Sequence, residues 1–137
     1  MSFFKRLFGN DTIAEDNLRI IITRHGERAD FILGPKWVSK AKGGGQRDRR
    51  LSYLTPRVPF EEWNYDPPLT TDGERQSMWT GKKLLRYGYP IDYCYSSPAY
   101  RSIQTANRIL QSQGRKDVSI NIEPGINKDK IALFSQD

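Results

Sequence analysis

The 137-residue sequence has one cysteine and one histidine, and each scarcity excludes a class of protein. With Cys94 alone, no internal disulfide can form, and a reducing, cytoplasmic setting is expected. With His25 alone, no site built on two histidines fits within the chain. No apolar run approaches the ~18–20 residues of a membrane-spanning helix, so no transmembrane segment is expected. A secretory apolar segment is lacking too, and Ser2 stands where a myristoylation signal has glycine. Hydrophobic residues make up 36% and charged residues 28%, which suits one water-soluble globular domain. Area scaling for this length predicts that roughly two-thirds of the unfolded surface is buried, enough for one core.

Acidic residues are the next shortage. The net charge is +6, and all but one unit of it lies between Lys36 and Arg50. Lys36, Lys40, Lys42, Arg47, Arg49 and Arg50 there face only Asp48, around Gly43-Gly44-Gly45. The composition predicts a flexible, solvated loop. No run of interleaved aromatics offers bases a stacking platform, which argues against nucleic acid as a partner. At Met1–Gly9, Phe3, Phe4, Leu7 and Phe8 share one face of a helical turn opposite Lys5 and Arg6, and packing onto the domain is expected.

What the sequence does hold is an alternation of strand and helix signals. Leu18 to Thr23 is β-branched with little alternation, predicting a strand covered on both faces. From Asp30 to Asp66 the prolines, the glycine triplet and Trp37, Tyr53, Phe60, Trp63 and Tyr65 predict a long lid or binding loop. Thr71 with Glu74 forms a capping-box pattern, Met78, Gly81, Leu84 and Leu85 give an apolar stripe, and Gly88 is a stop. Ile91 to Tyr95 reads as a second strand. Ser97-Pro98 reads as N-cap and first position of a second helix, with Ala99, Ile103, Ala106 and Leu110 on one face and Gly114 as its end. Val118 to Ile122 is a third strand, closed by Pro124-Gly125. The order predicts an α/β fold with a parallel sheet and right-handed crossovers.

Ligands of such sheets bind beyond the carboxyl ends of the strands. Two polar clusters fall there: Arg24-His25-Gly26-Glu27-Arg28 and Ser96-Ser97-Pro98-Ala99-Tyr100-Arg101. If their strands are neighbours, Arg24, Arg28 and Arg101 converge, and the complement of three guanidiniums is a phosphate. An imidazole nitrogen of His25 aimed at phosphorus is a nucleophile, and its attack gives a phosphohistidine. The arginines would stabilise the charge that builds on the transferring group. Gly26 lets the backbone approach closely. An ordinary charged surface loop with one structural histidine is the competing reading.

Arg24-His25-Gly26-Glu27-Arg28-Ala29-Asp30, Asp66-Pro67-Pro68-Leu69-Thr70 with Gly73 and Gln76, Ser96 to Arg101 with Gln104-Thr105-Ala106, and Glu123-Pro124-Gly125 together resemble the histidine phosphatase (phosphoglycerate mutase-like) superfamily. Within it they resemble the phosphatase domain of the suppressor of T-cell-receptor signalling proteins and the ecdysteroid-phosphate phosphatases. The resemblance implies a three-layer sandwich with a mainly parallel sheet, here truncated after the third strand. It implies a partial domain over 18–126, with a basic and aromatic loop at 30–68, an extension at 1–17 and a divergent tail at 127–137. His25 is then the catalytic phospho-acceptor, Arg24, Arg28 and Arg101 bind phosphate, and neither metal nor cofactor is needed. The implied partner is a phosphorylated small molecule or a phosphoprotein.

Two departures accompany the resemblance. The family's second histidine has no counterpart here, and a lysine stands where the family places its acid, with Glu123 and Asp129 the nearby carboxylates. Weak or lost phosphomonoester hydrolysis is therefore expected, the alternative being an inactive phosphate- or phosphoprotein-binding pseudophosphatase. A shortened sheet is also expected to leave apolar surface exposed beside the third strand, for an oligomer or partner to cover.

Overall fold

The computed structural model describes residues 18–43 and 48–126 of the chain. The expectations for 1–17 and 127–137, the turn at Met1–Gly9 and Asp129 included, lie outside those residues, as does Arg47. The described elements run α1 (Ala29–Leu33), α2 (Trp37–Lys42), a 3-10 turn (Phe60–Asn64), α3 (Thr71–Arg86), β1 (Cys94–Ser96), α4 (Tyr100–Ser112) and β2 (Ile120–Ile122). β1 and β2 are parallel, with Cys94 opposite Ile120 and Ser96 opposite Ile122. The crossover between them is α4, which packs on both strands and, more extensively, on α3. The α/β class with a parallel sheet is as expected.

α3 begins one residue earlier than the capping-box pattern suggests. Thr70 stays extended, and its Oγ1 accepts the Gly73 N–H at 2.9 Å, so Thr70 is the N-cap. Glu74 does not reach back to close a box. Its Oε1 accepts from Arg108 of α4 at 3.2 Å. α4 likewise starts later than Ser97-Pro98 predicts, because Ala99 is still extended (φ -61, ψ 130) and offers no side-chain cap. The missing acceptor comes from outside the helix: Asp66 Oδ1 takes the Tyr100 N–H at 2.9 Å.

The two helices meet without a spacer. A Cβ at Gly81 would fall 2.5 Å from the Ile109 carbonyl oxygen, so α3 and α4 approach this closely only because position 81 has no side chain. Gln113, just past α4, stitches the helix ends together. Its amide donates to the carbonyls of Gly81 (3.0 Å) and Tyr89 (3.2 Å), and its Oε1 accepts the Ile91 N–H at 3.0 Å.

Three expectations are corrected. Leu18 to Thr23 joins no ladder, so the described sheet has two strands rather than three. The run is anchored instead at Arg19, which lies 4.2 Å over the Tyr89 ring and donates to the Gly88 carbonyl. Among the described residues no strand lies beside the run, and Leu18 and Ile22 are 86% and 92% exposed. Second, the basic stretch is not a loop throughout. Trp37–Lys42 is helical, Lys42 pairs with Glu61, and Arg50 with Asp48. Third, the aromatic segment is not an irregular loop throughout: Trp37, Val38, Leu51 and Trp63 close with Ala29 into a buried core of their own, while Tyr53 and Tyr65 stay exposed. Apolar surface is exposed beside β2, as expected, at Ile122 and Ile126.

Candidate functional site: a basic pocket between the 24–28 loop and α4

The loop that carries His25 is held by backbone rather than by side-chain packing. Gly26 and Gly73 touch: a Cβ on Gly26 would collide with the Gly73 carbonyl, and one on Gly73 with the Glu27 carbonyl. The Gly26 N–H donates to Thr105 Oγ1 of α4 at 3.1 Å, and that hydroxyl donates on to the Arg101 carbonyl at 2.8 Å. Glu27 receives the Thr70 N–H on its carbonyl (2.9 Å) and the Thr70 hydroxyl on its carboxylate (2.7 Å). Its own N–H goes to Gln76 Oε1 at 3.0 Å. Arg28 and Leu69 form an antiparallel bridge, and the Leu69 N–H goes to Gln104 Oε1 at 2.7 Å. The loop is thereby fixed to the start of α3 and to the first two turns of α4.

On this frame His25 is partly buried, with Nδ1 2.8 Å from the Gly26 carbonyl oxygen. A carbonyl only accepts, so Nδ1 carries the proton in this contact, and in a neutral ring the lone pair is then on Nε2. The two nearby arginines differ. Arg28 is a fork on Asp30, through Nε at 3.0 Å and an Nη at 2.6 Å, and lies 4.3 Å over the Phe31 ring. Its outer edge stays open. Arg101 has no such partner: its Nε is buried without a hydrogen bond, and an Nη stands 3.9 Å from Asp66 Oδ1, too far to be one.

Burial pushes the Arg101 guanidinium below its ordinary value, and the charge of Arg28 pushes the same way, while Asp66 and Asp30 oppose it. Arg28 and Arg101 thus share one field. Two carboxylates oppose the two cations, but neither reaches the Arg101 Nε. A buried guanidinium N–H with no acceptor, next to a second guanidinium, is the electrostatic mould of an anion.

Of the residues singled out in the sequence, the structure ties His25, Arg28 and Arg101 to one frame. Arg24 is exposed, with no ion pair among the described residues. Glu123, also exposed, spends Oε1 on the Gly125 N–H at 2.8 Å. A groove of about 730 Å³ along α3, beside Trp79, Lys83 and Tyr87, is lined by none of the three arginines nor by His25. Among the described residues, no group of three potential metal-ligating side chains is assembled. Asp30, Asp66 and Thr105, quoted above only for the family resemblance, also bear on the site. The Arg28-Ala29-Asp30 spacing hints at the fork. Asp66 opens the Asp66-Pro67-Pro68-Leu69-Thr70 motif, but nothing local shows that it caps an N–H 34 residues further on.

A family model, the histidine phosphatase superfamily (branch 1), matches residues 60–128. The Homo sapiens ubiquitin-associated and SH3 domain-containing protein B is 33% identical over 114 residues, covering 78% of this chain and 18% of that protein. The Drosophila melanogaster ecdysteroid-phosphate phosphatase is 36% identical over 118 residues, covering 80% of this chain and 15% of its own length. The crystal structure of the Bombyx mori ecdysone phosphate phosphatase in complex with tungstate superposes with a TM-score of 0.71 at 32% identity. That match covers 77% of this chain and 42% of the other. The chain therefore spans under half of the solved neighbour, and under a fifth of these curated relatives.

Proposed function

Because the chain belongs to the histidine phosphatase superfamily, we propose that its basic pocket binds phosphomonoesters and that His25 accepts the phosphoryl group. The buried, unpartnered Arg101 Nε beside Arg28 carries this reading, since a phosphate oxygen is the acceptor that it lacks. Arg28 offers its outer edge, and Arg24 is free to close from the surface.

In the proposed step the His25 Nε2 lone pair attacks phosphorus, a P–N bond forms, and the ester P–O bond breaks with its electron pair on the leaving oxygen. Water then cleaves the P–N bond, releasing phosphate and restoring the imidazole. An aryl phosphate suits the pocket best, because its leaving phenolate needs no proton donor. Alkyl esters lose the ~10²–10⁴-fold that a positioned acid supplies. Phosphate binding without turnover, as a pseudophosphatase, is a second reading, favoured by the single histidine of the chain.

Hydrolysis of 4-nitrophenyl phosphate by the chain and by His25→Ala, with tungstate binding measured on both, tests the proposal. Slow turnover lost in the variant, with tungstate binding retained, is expected. Tungstate binding without turnover in either protein selects the second reading. No binding of tungstate to the unaltered chain overturns both.

A further inference from the structure

Asp66 touches the pocket only through other residues, yet it joins three parts of the molecule. Its Oδ1 accepts the Tyr100 N–H at 2.9 Å, fixing the residue next to Arg101. Its Oδ2 accepts from Arg57 at 2.8 Å. The Arg57 guanidinium in turn lies 3.8 Å over the Trp63 ring, and Trp63 meets Tyr100 edge-on at 5.1 Å between ring centroids. Carboxylate, guanidinium and two rings thus form a closed circuit that ends at the first residue of α4. Arg101 is the second.

We propose that Asp66 is a positioning residue for the anion pocket: its carboxylate seats the start of α4 and so holds Arg101 with its Nε turned inward and free. The 3.9 Å separation from Arg101 suits that role. A fork at hydrogen-bond distance would consume the donors that an anion needs, as Asp30 consumes one edge of Arg28. At 3.9 Å, Asp66 steadies the cation without occupying it. This inference rests on the reading of the pocket as an oxyanion site.

Positioning and simple charge predict opposite signs. A carboxylate beside an anion site repels the anion, so a charge effect alone makes its removal tighten binding. Loss of positioning loosens it. With tungstate as the probe, Asp66→Ala is expected to raise Kd roughly tenfold, the scale of one charge-assisted hydrogen bond. Asp66→Asn, whose amide oxygen still accepts the Tyr100 N–H, is expected to lose less. In an Arg101→Ala background, Asp66→Ala is expected to cost nothing further, because the residue through which it acts is gone. Tighter or unchanged binding in Asp66→Ala overturns the proposal, as does an equal loss in the Arg101→Ala background.

The nitrogen-15 resonance of Arg101 Nε–H in the anion-free protein gives a second readout. It is expected to be sharp in the unaltered chain and in Asp66→Asn, and averaged by motion in Asp66→Ala. An unchanged resonance in Asp66→Ala sinks the inference. If the unaltered chain takes up no tungstate, the reading of the pocket falls while this resonance still decides the role of Asp66.

Discussion

Two apolar stretches of this chain meet opposite fates. Around Trp63 and Leu69 the side chains are fully buried, although prolines, charges and irregular backbone surround them. Leu18 to Thr23, the most strand-like run of the sequence, leaves Leu18, Ile20 and Ile22 facing solvent. Hydrophobicity sets what a segment gains from burial. Whether it is buried depends on a surface being there to meet it, and the 48–70 segment finds one in α1, α2, Tyr100 of α4 and its own aromatics. Among the described residues, the run at 18–23 is held through the Arg19 contacts at Gly88 and Tyr89.

Breaking the buried region is expected to give the largest effect. Trp63→Ala removes the ring beneath Arg57 and beside Tyr100, and a cost of about 3–5 kcal/mol in urea unfolding is expected. Thr70→Ala comes next. It removes the cap of α3 together with the hydroxyl that holds Glu27, and about 1–2 kcal/mol is expected by the same measurement.

The exposed run predicts the contrary. Ile22→Ser is expected to change stability by less than about 0.5 kcal/mol, while lowering the fluorescence of a dye that binds apolar surface. A loss of stability as large as that of Thr70→Ala would show that the run is covered in solution.

The smallest effect belongs to the surface ion pair of Asp48 and Arg50. Hydrogen bonds from the Arg50 side chain and backbone hold the Asp48 carboxyl at about 2, below its ordinary 3.8. A lowered carboxyl stabilises the fold above the unfolded value and ceases to as pH falls through the folded one. Unfolding midpoints of the unaltered chain and Asp48→Asn should therefore differ slightly at pH 6 and draw together towards pH 2.

The sequence made α3, α4 and β2 legible because their signals are local: a threonine before an acidic turn, apolar residues one helical turn apart, glycines at the ends. Gly88 and Gly114 do close the helices with positive φ, at 80° and 71°. Boundaries slipped by a residue or two where the cap was supplied by an unexpected group, Thr70 in one helix and Asp66 in the other. The order within the aromatic segment was not legible, because it comes from Trp37, Leu51 and Trp63 meeting in space, which no local pattern encodes. The Leu18 to Thr23 run was misread for a different reason. Its pattern reports a capacity to pair, and the partner is a separate matter.

For the site, the Arg-His-Gly loop and Arg101 stand out by composition, and the route that joins them does not. It passes through the Gly26 N–H and Thr105, whose hydroxyl looks in sequence like any other helical threonine. The carboxylates behind the arginines stand in the quoted motifs, but their partners, that of Asp66 above all, are not legible there.

That α4 has no cap of its own bears on how the chain acquires its shape. The first N–H of the helix finds its acceptor 34 residues away, so its opening turn gains that bond only after the intervening polypeptide has looped back. α3, capped by its own neighbour, faces no such delay. Nucleation is therefore expected to be polarised, with the first helix winding early and the start of the second, Arg101 with it, among the last parts to set.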